Sequence, residues 1–246
     1  MGFRGIDTAN QRRHYFEAGV GEGLAAAYRA GIVTRADLFL QTKFTYRGGQ
    51  DHRIPYDPAA SFSEQVAQSM ASSLEHLGTD YVDSYVLHGP SSGQDWADVD
   101  AEVWAAMKRE RDAGRTRLLG VSNISLRQLE QMAAVDSEAP AFVQNRCYAR
   151  LGWDRAVRAF CRERGIVYQG FSLLTANLEV LRHPLVAGLA ARERVTPAQI
   201  VFAFARAAEM LPLTGTSDAV HMKQDLASAG LTLSPESVRE IEELAG

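Results

Sequence analysis

The chain has 246 residues, 46% of them hydrophobic and 23% charged, with a net charge of −4. That length can bury one large core and suits a single barrel domain over residues 1–246. The mixed charge holds no basic stripe, which argues against nucleic acid as a partner. Two cysteines, Cys147 and Cys161, are too few for a disulfide framework and fit reduced thiols. No apolar run is long enough for a bilayer, and the start reads as a strand rather than a secretion signal. No membrane partner and a cytoplasmic location are therefore expected.

In chain order, residues 3–7 form the first strand-like run, which ends in Asp7. A helix-like segment follows Tyr15 and contains Gly19, Gly21 and Gly23. Because this glycine-rich piece does not directly follow a strand, it reads as helix packing and not as a dinucleotide loop. Residues 38–42 make the second strand, with Lys43 after it. Residues 44–60, which hold Gly48, Gly49, Pro55 and Pro58, lack a pattern and read as a long surface loop. Residues 61–78 put Phe62, Val66, Met70, Leu74 and Leu77 on one helical stripe. The third strand, 82–87, precedes His88, and a helix spans 99–113. The fourth strand, 117–122, ends in Ser122-Asn123, and Ser125 caps a helix over 125–134. The fifth, 142–144, ends in Gln144-Asn145, with a helix at 153–164. The sixth, 166–171, ends in Phe171-Ser172. Thr196-Pro197 opens a helix over 196–208, and the seventh strand, 211–214, leads into Gly215-Thr216-Ser217. Helices over 218–227 and 234–245 close the chain. Alternating strands and helices imply a parallel α/β sheet with right-handed crossovers. The expected class is a TIM-barrel-like (β/α)8 fold with its first strand missing or replaced.

In such a fold the C-terminal strand ends form the mouth where chemistry occurs. Asp7, Lys43 and His88 at three successive ends are more specific than isolated turn residues. A lysine held by a carboxylate stays charged and would lower the pKa of a nearby tyrosine from about 10. Tyr15 is the phenol nearest to Asp7. A histidine at the same mouth can orient a carbonyl oxygen. Together these groups suit protonation of a carbonyl oxygen while the carbon is attacked. His52, His76, His183 and His221 lack metal-ligand spacing, so no metal is expected.

Seven segments carry a resemblance: GIDTA at 5–9, LQTK at 40–43, YVDSYVLHGP at 81–90, LLGVSN at 118–123, VQNR at 143–146, GFSLL at 170–174 and PLTGTS at 212–217. In this order and spacing the chain resembles the aldo-keto reductase family over most of its length. The resemblance implies a barrel that binds NADP or NAD across its mouth and reduces a small-molecule aldehyde or ketone. It implies a catalytic tetrad of Asp7, Tyr15, Lys43 and His88. It also implies Ser122, Asn123 and Gln144 on the nicotinamide carboxamide and Phe171 stacked on the ring, where relatives usually have tyrosine. Ser172, Leu174 and the segment with Gly215, Thr216, Ser217, His221 and Asp225 would face the pyrophosphate and adenosine.

Four departures temper this. The tyrosine comes eight residues after Asp7 instead of five, where Arg12 stands, so an inserted loop must carry Tyr15 to the mouth. Gly215 and His221 stand where relatives that prefer NADP carry lysine and arginine. The chain ends at Gly246 without the usual C-terminal loop, which implies a more open site. The family's first strand and helix are absent before GIDTA, which leaves open sheet edges. A truncated start, a different closure or pairing across a homodimer would account for that. The alternative reading is a non-redox dehydratase, isomerase or cyclase on the same scaffold, with the cofactor site lost or weakened. A non-catalytic regulatory subunit ranks behind both.

Overall fold

The computed structural model describes residues 2–244. The chain divides into two compact units, one formed by Arg4–Phe142 and the other by the residues before Arg4 together with the chain from Val143 onward.

The first unit carries β1 (Gly5–Asp7), α1 (Glu17–Arg29), β2 (Phe39–Phe44), α2 (Phe62–Leu77), β3 (Val82–Leu87), α3 (Asp98–Asp112), β4 (Thr116–Ser122) and α4 (Leu126–Val135). Its strands pair in parallel in chain order. β3 is buried at all six positions, as expected of a parallel strand covered on both faces. The helix boundaries follow their capping residues. Ser61 and Glu64 form a capping box at the start of α2, and Gly78 ends it at φ 63°. Ser125 and Gln128 form the same box at the start of α4.

The glycine-rich piece lies inside α1. A Cβ on Gly21 would sit 1.9 Å from the carbonyl oxygen of His76, so this glycine lets α1 meet the end of α2. Leu24 of α1 packs with Leu38 and Leu40, covered by Ile6, Val20, Tyr28 and Val33. These small and apolar positions serve helix packing.

Two expectations are revised here. β2 runs two residues further than its sequence pattern indicates, so Lys43 lies within the strand. The segment over residues 44–60 is not simply a surface loop. Thr45, Gln50 and Tyr56 are buried, and the Tyr56 ring packs 5.7 Å from that of Phe44. Its polar residues bond inward, which a hydrophobicity pattern does not register.

β5 (Phe142–Arg146) leads into the second unit, with α5 (Arg155–Glu163), β6 (Val167–Phe171), α6 (Leu178–Arg182), α7 (Pro184–Glu193), α8 (Pro197–Ala207), β7 (Met210–Pro212), α9 (Ala219–Ala227) and α10 (Pro235–Glu243). β6 and β7 pair in parallel. The helix expected from residue 153 starts at Arg155, because Gly152, Trp153 and Asp154 all have positive φ. Trp153 is fully buried 4.8 Å from the Phe204 ring and belongs to the core. Asp154 accepts hydrogen bonds from Asn145 Nδ2 and Tyr168 Oη, both at 2.8 Å. α6 and α7 are not among the helices expected from the sequence, although His183-Pro184 carries a helix-start pattern. The last residue of the final predicted helix, Ala245, lies outside the described residues. Seven parallel strands alternating with helices make this an α/β fold of the TIM-barrel-like class. Among the described residues no helix is long and apolar enough to cross a membrane.

Candidate active site

Strand register brings the polar residues of the first unit to one edge. Asp7 lies level with Gln41, Lys43 with Val86, and Leu87 with Val121. Each strand's polar end thus rises beside its neighbour's. Side chains alternate along a strand, so Gln41, Lys43 and Thr45 share one face.

Lys43 is wholly buried, yet each of its three ammonium donors has an acceptor. Nζ bonds Asp7 Oδ1 at 2.7 Å, Asp7 Oδ2 at 2.8 Å and the Thr8 carbonyl at 2.8 Å. Gln41 Nε2 also donates to Asp7 Oδ1, at 2.7 Å. Burial pulls the Lys43 pKa down, and the Asp7 carboxylate opposes that pull. On the opposite face of the strand, Thr42 bonds the buried Glu17 carboxylate, which His76 Nδ1 also meets at 3.2 Å.

Tyr15 reaches the same place on the longer loop. Lys43 Nζ lies 5.0 Å from the centre of its ring, and the His88 ring meets it edge-on at 5.8 Å. Arg12, at the family's usual tyrosine spacing, instead stacks over Phe16 at 4.5 Å. The expected lowering of the Tyr15 pKa does not occur. Burial, and then the Asp7 charge, push it up to about 12. The Lys43 charge, paired with Asp7, does not overcome that burial. Tyr15 therefore stays protonated at neutral pH.

His88 follows β3. Its Nδ1 lies 2.7 Å from Thr45 Oγ1, and its carbonyl accepts from Asn123 Nδ2 at 2.8 Å. Burial, helped by the Lys43 charge, depresses its pKa to about 4. The sign follows directly. The unfolded chain binds this proton near pH 6.5 and the folded chain near pH 4, so stability falls as pH drops through that interval. Urea unfolding at pH 7.5 and 4.5 should show a loss that is visibly smaller in His88→Gln. Equal losses in both proteins would contradict a buried neutral imidazole.

Of the residues expected to hold a cofactor, Ser122 is buried and its hydroxyl accepts from Asn123 Nδ2 at 3.2 Å. Asn123 is exposed and has φ 50°, a conformation that only some non-glycine residues tolerate. In the second unit, Gln144 Nε2 donates to Gln169 Oε1 at 2.9 Å. Phe171 is half-buried at the end of β6. Ser172 has φ 56°, and its hydroxyl meets Arg146 Nε at 3.1 Å. Leu174 is half-buried, whereas Gly215, Ser217 and His221 are exposed. Thr216 Oγ1 accepts from the Asp218 amide at 3.1 Å. Asp218 caps α9 through the amides of Val220 and His221. Asp225 accepts from Thr214 Oγ1 at 2.7 Å. Cys147 and Cys161 are free and buried. Among the described residues no three metal-ligating side chains gather.

Gln41 and Thr45 also contact the cluster, although neither is among the site residues expected from the sequence. Their two-residue spacing around Lys43 was the available signal.

Comparison with known proteins gives this cluster a context. Over 200 residues the chain is 30% identical to the uncharacterized oxidoreductase YtbE of Bacillus subtilis, covering 81% of this chain and 64% of YtbE. An aldo/keto reductase from Brucella melitensis superposes with a TM-score of 0.82 at 25% identity, over 99% of this chain and 84% of that one. A Bombyx mori aldo-keto reductase, solved in complex with NADP, superposes with a TM-score of 0.82 at 24% identity, over 98% of this chain and 78% of that one. The model of the aldo/keto reductase family matches residues 1–245, and the chain belongs to that family.

Proposed function

We propose that this protein is an NADP(H)-dependent oxidoreductase that reduces an aldehyde or ketone to an alcohol. One observation carries the reading: Tyr15 stands against both the Asp7–Lys43 ion pair and a neutral His88 at the ends of adjacent strands. The strained, exposed Asn123 at the end of β4 and Ser172 at the end of β6 fit residues shaped to meet a ligand. When bound, the nicotinamide supplies hydride to the carbonyl carbon.

The chain's own residues do the rest. Tyr15 gives its hydroxyl proton to the carbonyl oxygen. His88 donates a hydrogen bond to that oxygen and fixes the carbonyl's direction. Lys43, anchored by Asp7, keeps a positive charge beside the phenol as it becomes a phenolate. Ser122, Asn123 and Gln144 would hold the carboxamide, and Phe171 the ring face. Ser172, Leu174, Gly215, Thr216, Ser217, His221 and Asp225 would take the pyrophosphate and adenosine. A Tyr15 held protonated suits the donor role in carbonyl reduction.

Thermal melting with NADPH or NADH tests the cofactor claim. A hundredfold excess over Kd stabilises by about 2.7 kcal/mol, or roughly 5–10 °C at this size. The companion assay follows NADPH oxidation with a panel of aldehydes. No shift with either nucleotide, together with turnover of a substrate without nicotinamide, would overturn the reading in favour of the non-redox alternative.

A further inference from the structure

We propose that Thr45 is a positioning residue that fixes the tautomer of His88, so that the imidazole presents an Nε2–H donor to the substrate. The premise is the 2.7 Å contact between Thr45 Oγ1 and His88 Nδ1. Either group could donate across it, and satisfaction of the hydroxyl decides which. Thr45 is 5% exposed, and Nδ1 is the one acceptor within reach of its hydroxyl hydrogen among the described residues. If Nδ1 carried the proton, that hydroxyl hydrogen would be buried without an acceptor, at a cost that nearly all buried polar groups avoid. The hydroxyl therefore donates, Nδ1 accepts, and the proton sits on Nε2. Nε2 has no protein partner among the described residues, which leaves it for a ligand.

The position of Thr45 is itself built. Its carbonyl accepts from Tyr56 Oη at 2.8 Å and from Gln50 Nε2 at 3.3 Å. The same Gln50 Nε2 also donates to the Asn10 carbonyl at 2.9 Å, and Gln11 Nε2 donates to the Gly49 carbonyl at 2.8 Å. Asn10 and Gln11 begin the loop that carries Tyr15. One segment thus fastens the Thr45 hydroxyl that sets the histidine and the loop that brings the phenol. Residues 44–60 thereby fix, relative to each other, the two groups that would meet the carbonyl oxygen. A neutral histidine needs such a device because both of its tautomers are uncharged and only one donates from Nε2.

The catalytic consequence rests on the carbonyl-reductase reading, whereas the tautomer does not. Both are therefore measured. Long-range proton–nitrogen correlation spectra of the nitrogen-labelled full chain report the His88 tautomer, with His88→Gln assigning the signal. Wild type should show bare Nδ1 and protonated Nε2. Thr45→Val keeps the shape and the methyl that occupies the space beside Gly49 where a Cβ would fall. It should populate the Nδ1–H form, while burial and the Lys43 charge keep the His88 pKa depressed. Thr45→Ser should restore the wild-type signature. With an aldehyde and NADPH, kcat/KM should fall about tenfold in Thr45→Val and recover in Thr45→Ser. A wild-type proton on Nδ1, or a Thr45→Val spectrum identical to wild type, overturns the tautomer assignment. An altered tautomer with unchanged kcat/KM overturns its role in turnover. If no carbonyl is reduced at all, the proposed function fails while the spectra still decide the tautomer.

Discussion

Replacing Tyr15 with phenylalanine is expected to lower kcat for carbonyl reduction by about a hundred- to ten-thousandfold, the usual worth of a positioned proton donor. Stability should stay within about 0.5 kcal/mol of wild type, as for changes that break no partnered group. The separation of these two effects follows from the structure. The phenol ring packs on Lys43 and His88, and phenylalanine keeps that ring. The hydroxyl makes no hydrogen bond to the protein among the described residues, so its removal strands no partner. Its proton is held on up to about 12, so the hydroxyl is available as a donor at neutral pH. The variant should also bind NADPH with unchanged affinity, because the lost group acts on the carbonyl. Circular dichroism melting, nucleotide titration and single-turnover kinetics give the three readings. Turnover within tenfold of wild type would remove Tyr15 from its role.

The strand ends were legible because parallel strands buried on both faces appear as short apolar runs, and the first polar residue after each run marks the rim. Asp7, Lys43 and His88 emerged that way, and GIDTA, LQTK and VLHGP made the family recognisable. The Tyr15 loop was legible by length alone, since an insertion preserves function only if it returns the phenol to Lys43. Electrostatics was not legible. The Tyr15 pKa depends first on how deeply the loop buries the phenol and then on its distance from the Asp7 carboxylate. Thr45 and Gln50 were hidden for a related reason. They lie in a stretch with no hydrophobic period, and their burial is secured by hydrogen bonds that sequence patterns do not encode. α6 and α7 were missed because Ala- and Leu-rich turns around Pro184 blur a 3.6-residue stripe.

The largest stability effect should come from the Asp7–Lys43 pair, and it should be asymmetric. Lys43 is fully buried, whereas the Asp7 side chain is 24% exposed. Asp7→Asn leaves a buried ammonium with only neutral acceptors, and breaking a buried pair in this sense costs about 3 kcal/mol or more. Lys43→Met leaves Asp7 with its Gln41 donor at 2.7 Å and with access to water, so its cost should be nearer ~1–2 kcal/mol. A pH series separates this account from a simple packing defect. Burial already depresses the folded pKa of Lys43, and Asp7→Asn removes the charge that opposes the shift. Between that lowered pKa and the ordinary value near 10.4, the unfolded chain holds the proton that the folded chain has released. Stability of Asp7→Asn must therefore rise with pH across that interval, narrowing its deficit toward alkaline pH. Lys43→Met has no such proton to lose, so its deficit should show no matching recovery. Urea unfolding of the three proteins at pH 6, 7.5 and 9 reads both claims without any substrate. Equal costs for the two variants, or a deficit in Asp7→Asn that does not shrink with pH, would mean that the lysine is not held charged in its buried site. The electrostatic support assigned to Tyr15 would then go with it, because a neutral amine 5.0 Å from the ring cannot stabilise a developing phenolate.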